Sequence, residues 1–193
     1  FSAGHAAARD SLLDVLQRAG FEVVWYGNNS GCKGVCDKIG ERRPDSEPDP
    51  ALCRKGLPCF DEILLRDLER ELQKPTQRKV VVLHLIGSHG PGYHLRYPPA
   101  FERYTPACKQ VDFSKCSVAE IVNAYDNTML YTDHVLARTI DLLDARAASL
   151  HGALWYVSDH GESLGENGVF LHALPYAIAP DLQTHVPMVF WQG

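Results

Sequence analysis

The seven residues Lys79–Leu85 (KVVVLHL) constrain the fold more than any other stretch of the chain. Their nearly continuous apolar run suits a strand buried on both faces, the place of a central strand in a parallel sheet. The neighbouring sequence supplies matching parts. Residues 5–19 (HAAARDSLLDVLQRA) read as a helix, with Leu12, Leu13 and Leu16 on one face and Gly20 placed to end it. Phe21–Tyr26 (FEVVWY) is β-branched and aromatic, hence a strand, and helix followed by strand is half of an α/β unit. Asp61–Lys74 has helical spacing through Leu64, Leu65, Leu68 and Leu72 and closes at Pro75. Ser117 and Glu120 form a capping-box signature. A long helix follows, whose face steps through Val118, Ile121, Val122, Tyr125, Met129, Thr132, Leu136 and Ile140. Ala153–Val157 reads as a third strand and Met188–Trp191 as a fourth, Pro187 being unable to donate to a ladder. Trp25, Trp155 and Trp191 all fall on strands and read as core. The expected fold is α/β: a sandwich with a mostly parallel central sheet flanked by helices, and the 193 residues suit a single domain.

Residues 27–59 interrupt this alternation with Gly, Asn, Pro and Cys, and a loop of that length in a compact domain is usually functional. The chain's six cysteines fall in three close pairs, Cys32/Cys36, Cys53/Cys59 and Cys108/Cys116. Short-range disulfides are the simplest pairing. Zinc thiolates are the alternative, although no pair has the two-residue gap of a zinc ribbon. Disulfides imply an oxidising compartment. A net charge of −5 argues against nucleic acid as a partner, while leaving a phosphate-bearing substrate open if a metal supplies positive charge. No apolar run reaches the roughly 18 residues needed to span a bilayer. The start at Phe1, without Met, reads as an excised piece, with any targeting or membrane segment lying outside it.

In open α/β sheets ligands bind beyond the carboxyl ends of the strands. Two such exits here place a His beside a Gly: Ile86-Gly87-Ser88-His89-Gly90-Pro91 and Ser158-Asp159-His160-Gly161-Glu162-Ser163. Asp159 and His160 offer a carboxylate oxygen and an imidazole nitrogen, a pair suited to zinc. His172 follows a Gly-rich turn that could return it to the same place. Taken alone, the Asp-His dipeptide reads more readily as an Asp that caps a helix near Gly161 beside an exposed His; the complete run Asp159–Gly168 reverses this and favours the metal reading.

That run resembles the alkaline-phosphatase-like superfamily, which includes the sulfatases, and within it the lipid A phosphoethanolamine transferases of the colistin-resistance group. The resemblance also covers Tyr26–Asp37, His84–Pro91, Asn123–Asn127 and Ser158–His172. It implies that Asp159 and His160 bind the principal zinc, and that His89 and His172 contact the substrate phosphate or a second zinc, with one of them as general acid. It further implies that Asn29, Lys33 and Glu162 hold the phosphoethanolamine group; charge complementarity makes the ammonium the expected partner of Glu162. The reaction it implies moves phosphoethanolamine from a phospholipid donor to lipid A or another glycan through a zinc-bound Thr. That Thr and a further Glu ligand belong to family segments upstream of residue 1. Residues 1–193 are therefore expected to be the C-terminal part of a periplasmic catalytic domain lacking its N-terminal segment. Such a piece should be inactive alone, and the whole protein should sit at the periplasmic face of the bacterial inner membrane, anchored through a segment absent from this chain. A sulfatase or phosphatase hydrolase on the same fold is the rival activity, and a non-catalytic binding domain is the rival of another class. His84 reads as a packed core residue; His5, His94, His134, His151 and His185 read as surface, and Asp126 and Asp133, on the long helix, as surface or packing residues. Asn28-Asn29-Ser30 fits an N-glycosylation pattern.

Overall fold

The computed structural model describes residues 10–44, 49–74, 78–172 and 174–193. The chain divides into two compact units, residues 1–86 and 87–193.

In the first unit, helix α1 spans Leu12–Arg18 and starts at a capping box, Ser11 bonded reciprocally with Asp14. The earlier part of the expected helix, including His5, lies outside the described residues. Leu12 is 58% exposed, so it is not on the inner face; the buried position is Asp14, which its cap bonds hold in place. Gly20 then turns the chain at a φ of 84°, a left-handed conformation that favours glycine. Strand β1, Glu22–Gly27, is buried along nearly its whole length. It pairs in parallel with β3, Lys79–His84, and on its other edge with the two-residue β2, Glu41–Arg42.

The parallel pairing is as expected, but β1 and not β3 is the middle strand of the order β2-β1-β3, and β3 is only half-buried. An apolar run says that a strand wants cover; it does not say which neighbour lies beside it. The pair Glu41–Arg42, polar and inside the Cys-rich loop, carries no strand signal. Helix α2, Ile63–Gln73, buries Ile63, Leu64, Leu65 and Leu68, and Ile63 and Leu64 pack with Val24 and Tyr26 of β1. Each such aliphatic side chain contributes about 1.5–3 kcal/mol by leaving water. The helix's closure at Pro75 lies outside the described residues.

The same helix buries Glu71. Tyr26 Oη donates to its Oε1 at 2.7 Å, Lys74 Nζ to Oε1 at 2.6 Å, and Lys79 Nζ to Oε2 at 2.9 Å, with Arg42 Nη1 3.2 Å from Oε1. Burial pushes the Glu71 pKa up, but the donors Lys74, Lys79 and Tyr26 outweigh it and hold the value at about 2.

In the second unit, helix α3 spans Val118–Asp144 from the expected Ser117–Glu120 capping box. Its buried stripe includes Ile121, Ala124, Tyr131, Val135 and Leu143, whereas Val118 and Met129 are exposed. The stripe is rotated from the expected one because Ala124, Asn127 and Thr128 are buried, and a count of large apolar residues passes over small and polar ones. Asn127 takes its place by accepting from the backbone N–H groups of Arg103 and Tyr104 and donating to the Tyr104 carbonyl. His134 and His94, expected at the surface, are half-buried, and His134 lies against Phe101 and Tyr131.

Strand β4, Ala153–Val157, pairs antiparallel with β7, Met188–Gln192, and the short β5, Ser163–Leu164, pairs antiparallel with β6, Phe170–Leu171. Among the described residues, parallel pairing is thus confined to the first unit. Trp155 faces Phe190 across the β4–β7 ribbon and Val157 faces Met188. All four are more than half exposed, at 62%, 66%, 54% and 64%, so Trp155 is not a core residue among the described residues. Trp25 is buried as expected, and Trp191 is half-buried. The short helix α4, Asp181–Thr184, leads into β7. Among the described residues no helix is long and apolar enough to cross a membrane.

Candidate metal and phosphate centre

All three expected disulfides are formed: Cys32–Cys36, Cys53–Cys59 and Cys108–Cys116. The first two lie in the loops beside the carboxyl ends of β1 and β3. Those ends are tied by the buried Asp61, whose Oδ1 accepts from Asn28 Nδ2 at 2.8 Å and from the Ile86 N–H at 2.9 Å. Asn28 Nδ2 also donates to the Cys59 carbonyl, so the side chain in the glycosylation pattern is committed inside the protein. Asn29, next in line, is half-buried and its Oδ1 accepts from the Ser30 N–H at 2.7 Å. Lys33 stands exposed within the Cys32–Cys36 loop on left-handed backbone, φ 52°. Sequence reading passed over Asp61, which lies just before α2 and carries no motif signal.

The second unit gathers the histidines. The exit of β4 runs Ser158-Asp159-His160-Gly161-Glu162, and Glu162 is followed directly by β5. Gly161 N–H donates to the Gln183 carbonyl at 3.0 Å. A Cβ on Gly161 would stand 1.9 Å from the Leu182 carbonyl oxygen, so only glycine allows this approach of two backbones. The β5–β6 pair returns the chain, and His172 follows β6. The rings of His160 and His172 stack with centroids 3.8 Å apart; His89 lies 5.2 Å from His172 and 6.2 Å from His160. The structure therefore brings together His89, His160 and His172. It places Asp159 at the rim, with an 83% exposed side chain and its Oδ1 3.9 Å from His160 Nε2.

Each stacked ring has one nitrogen engaged. His160 Nδ1 lies 3.0 Å from the Gly161 carbonyl, and His172 Nδ1 lies 2.8 Å from Glu162 Oε1. A carbonyl or carboxylate holding one ring nitrogen is how proteins orient the other toward a metal or substrate. Glu162 is buried, and its second oxygen accepts from Tyr93 Oη at 2.9 Å, with the Gly90 N–H 3.5 Å from Oε1. Burial, and then the Glu162 charge, push the Tyr93 hydroxyl pKa well above the usual tyrosine range, so it stays a donor. Tyr93 is a component that sequence reading missed. It sits in a Gly-Pro-Gly-Tyr turn that carries no periodic signal. The His89 carbonyl accepts from Arg96 Nε at 3.0 Å, and Ser88 Oγ accepts from Thr128 Oγ1 at 2.6 Å, which anchors that loop to α3.

The donor chemistry fits a borderline metal such as zinc in two overlapping sets. Ligand atoms of His160, Glu162 and His172 all lie within 4.8 Å of one another. Ligands of one tetrahedral zinc stand about 3.3–3.5 Å apart, given bonds of about 2.0–2.2 Å. The Asp159–His160 pair at 3.9 Å approaches that spacing.

Comparison with known proteins places this arrangement in context. The family model described as Sulfatase matches residues 3–193. Phosphoethanolamine transferase EptA of Salmonella typhimurium is 47% identical over 183 residues, covering 95% of this chain and 33% of that protein. Phosphatidylethanolamine transferase Mcr-2 of Escherichia coli is 39% identical over 194 residues, covering 97% of this chain and 36% of that protein. The crystal structure of the soluble domain of lipooligosaccharide phosphoethanolamine transferase A from Neisseria meningitidis superposes with a TM-score of 0.89 at 51% identity. The match covers 95% of this chain and 54% of that one. The chain spans about a third of the length of the curated relatives it matches.

Proposed function

The chain belongs to the sulfatase family, and from that premise we propose that it forms part of a zinc-dependent transferase moving phosphoethanolamine from a phospholipid to lipid A or a related glycan. The observation that carries the reading is the trio His89, His160 and His172 gathered within the second unit, two of its rings pinned through Nδ1. The names of the relatives, transferases of phosphoethanolamine and phosphatidylethanolamine, support the transferred group and its donor. The name of the meningococcal protein, which refers to a lipooligosaccharide, supports a glycolipid acceptor. Both units are assigned to one catalytic domain, which the match over residues 3–193 supports.

In this reading Asp159 and His160 hold the zinc. When bound, the metal supplies Lewis acidity that neutralises charge on the phosphate oxygens and lowers the pKa of a nucleophilic hydroxyl. The hydroxyl is that of a threonine outside these 193 residues. His89 and His172 contact the phosphate, and one of them gives the leaving oxygen a proton. Asn29 and Lys33 hold the phosphoethanolamine group, Lys33 as a point charge on phosphate. Capture on the threonine followed by transfer to the acceptor makes two displacements, with ping-pong kinetics as the signature. The three disulfides support an oxidising compartment, here the periplasmic face of the inner membrane.

The test expresses the full-length protein in a bacterium whose lipid A lacks phosphoethanolamine and weighs the extracted lipid A by mass spectrometry. Added phosphoethanolamine that depends on His160 is the expected result. Release of free phosphate or sulfate by the purified protein, with lipid A unchanged, would make it a hydrolase and sink the reading.

A further inference from the structure

We propose that Tyr93 and Glu162 act as a positioning pair that holds the His172 ring with its proton on Nδ1 and its Nε2 turned to the reacting phosphate. This rests on the functional reading above and changes the part given to Glu162, which would orient a histidine and not receive the ethanolamine ammonium.

The argument is one of donors and acceptors. A carboxylate only accepts. Glu162 Oε1 at 2.8 Å from His172 Nδ1 therefore requires the proton on that nitrogen and leaves Nε2 to face the site, where the imidazolium donates to a phosphate or leaving oxygen and the neutral ring accepts a proton. Oε2 is taken by the Tyr93 hydroxyl at 2.9 Å, and the whole residue is 8% exposed. An ammonium would have to share oxygens that already accept from His172 and Tyr93, on a side chain that is only 4% exposed. Tyr93 is itself fixed on several sides. It is 1% exposed, its ring stacks on Phe113 at 5.5 Å and meets Tyr125 edge-on at 5.4 Å, and a Cβ on Gly90 would crowd its hydroxyl at 3.0 Å. A residue locked this firmly restricts the carboxylate to one rotamer, and the carboxylate restricts the imidazole. The loss of such an orienting partner typically costs 10–100-fold in activity.

The experiment uses the full-length protein, a soluble chromogenic ester of phosphoethanolamine as donor, and long-range proton–nitrogen spectra of 15N-histidine-labelled protein. Glu162→Gln should lower kcat about 10–100-fold with the donor KM within twofold. Tyr93→Phe, which removes one hydrogen bond and keeps the ring, should lower it about three- to tenfold. The wild-type His172 signals should show Nδ1 protonated, and Glu162→Gln should admit the other tautomer. A raised donor KM with kcat intact in Glu162→Gln would restore the ammonium role and overturn the proposal. Weakened zinc binding with the His172 tautomer unaltered would overturn it as well, making Glu162 a ligand. A wild type without turnover would defeat the functional reading, and the ring-nitrogen signals would then decide the positioning pair alone.

Discussion

Among the described residues, each unit buries one glutamate against a tyrosine hydroxyl, and the two sites differ in what else they supply. Glu71 accepts from Tyr26 at 2.7 Å and is ringed by Lys74, Lys79 and Arg42. Glu162 accepts from Tyr93 at 2.9 Å, and its other main partner is an imidazole, His172. Permanent cations make the first carboxylate a fixed ion whose worth is stability. A histidine can gain or lose a proton near neutral pH, so the second carboxylate sits beside a group able to take part in chemistry. The same buried acid and phenol serve the fold in one unit and the proposed reaction in the other, and the difference lies in the partner's chemistry.

The sharpest way to break that comparison is to remove the imidazole. His172→Ala in the full-length protein should lower kcat for phosphoethanolamine transfer by roughly a hundred- to ten-thousand-fold, the range for a lost acid–base group. Stability in urea should fall by only about 1–3 kcal/mol, the cost of leaving the buried Glu162 oxygen without its partner. A fall in stability with kcat preserved would place His172 with the structural residues.

Glu71→Gln is the mirror experiment. It removes the nearer of two carboxylates beside Lys79, whose side chain is 8% exposed, leaving Glu22 Oε2 at 3.4 Å, and should destabilise the fold by about 3 kcal/mol in urea unfolding. The activity of the protein that remains folded should match wild type.

The pH dependence follows from the same site. The Glu71 pKa is depressed from an ordinary 4.5 to about 2, so the native state favours the ionised form. The resulting stability is fully present above about 4.5 and is lost as pH falls toward 2, a total of about 3 kcal/mol. Acid unfolding followed by circular dichroism should steepen across that window in wild type, and Glu71→Gln should flatten it. An unchanged acid limb in the variant would mean that other carboxylates dominate.

This contrast bears on what could be read from the chain alone. The strands at Glu22–Gly27, Lys79–His84 and Ala153–Val157 announce themselves by β-branched and aromatic runs, and α3 by its Ser117–Glu120 cap. The histidines at the strand exits were legible for the same reason: they stand just where the period stops. Glu71 was hidden, because a charged residue on a helix reads as solvated, and only the fold brings Tyr26, Lys79 and Arg42 around it. Tyr93 was hidden likewise, since its partner Glu162 is 69 residues away in sequence. The order β2-β1-β3 depended on Glu41–Arg42, two charged residues that no propensity marks as a strand. Local signals thus marked the histidines that the fold gathers, while the polar contacts around them are long-range and arise only from the fold.

The smallest expected effect tests the comparison at its shared element, the tyrosine. Tyr26→Phe removes one hydrogen bond to Glu71 and leaves the two lysines and Arg42 in place. A single bond to a charged acceptor contributes about 1.5–3 kcal/mol net, the low end applying where other donors remain, and the aromatic packing of Tyr26 against α2 survives the change. Unfolding should therefore show a loss of about 1.5 kcal/mol, with kcat and donor KM as in wild type. Tyr93→Phe removes the equivalent bond and leaves Glu162 no permanent cation to fall back on, so its effect should appear in kcat. If both variants lost only stability, or both lost turnover, the division between a structural and a functional carboxylate would fail. If Tyr26 registers in the unfolding curve and Tyr93 in the rate, the partner's chemistry is what separates the two sites.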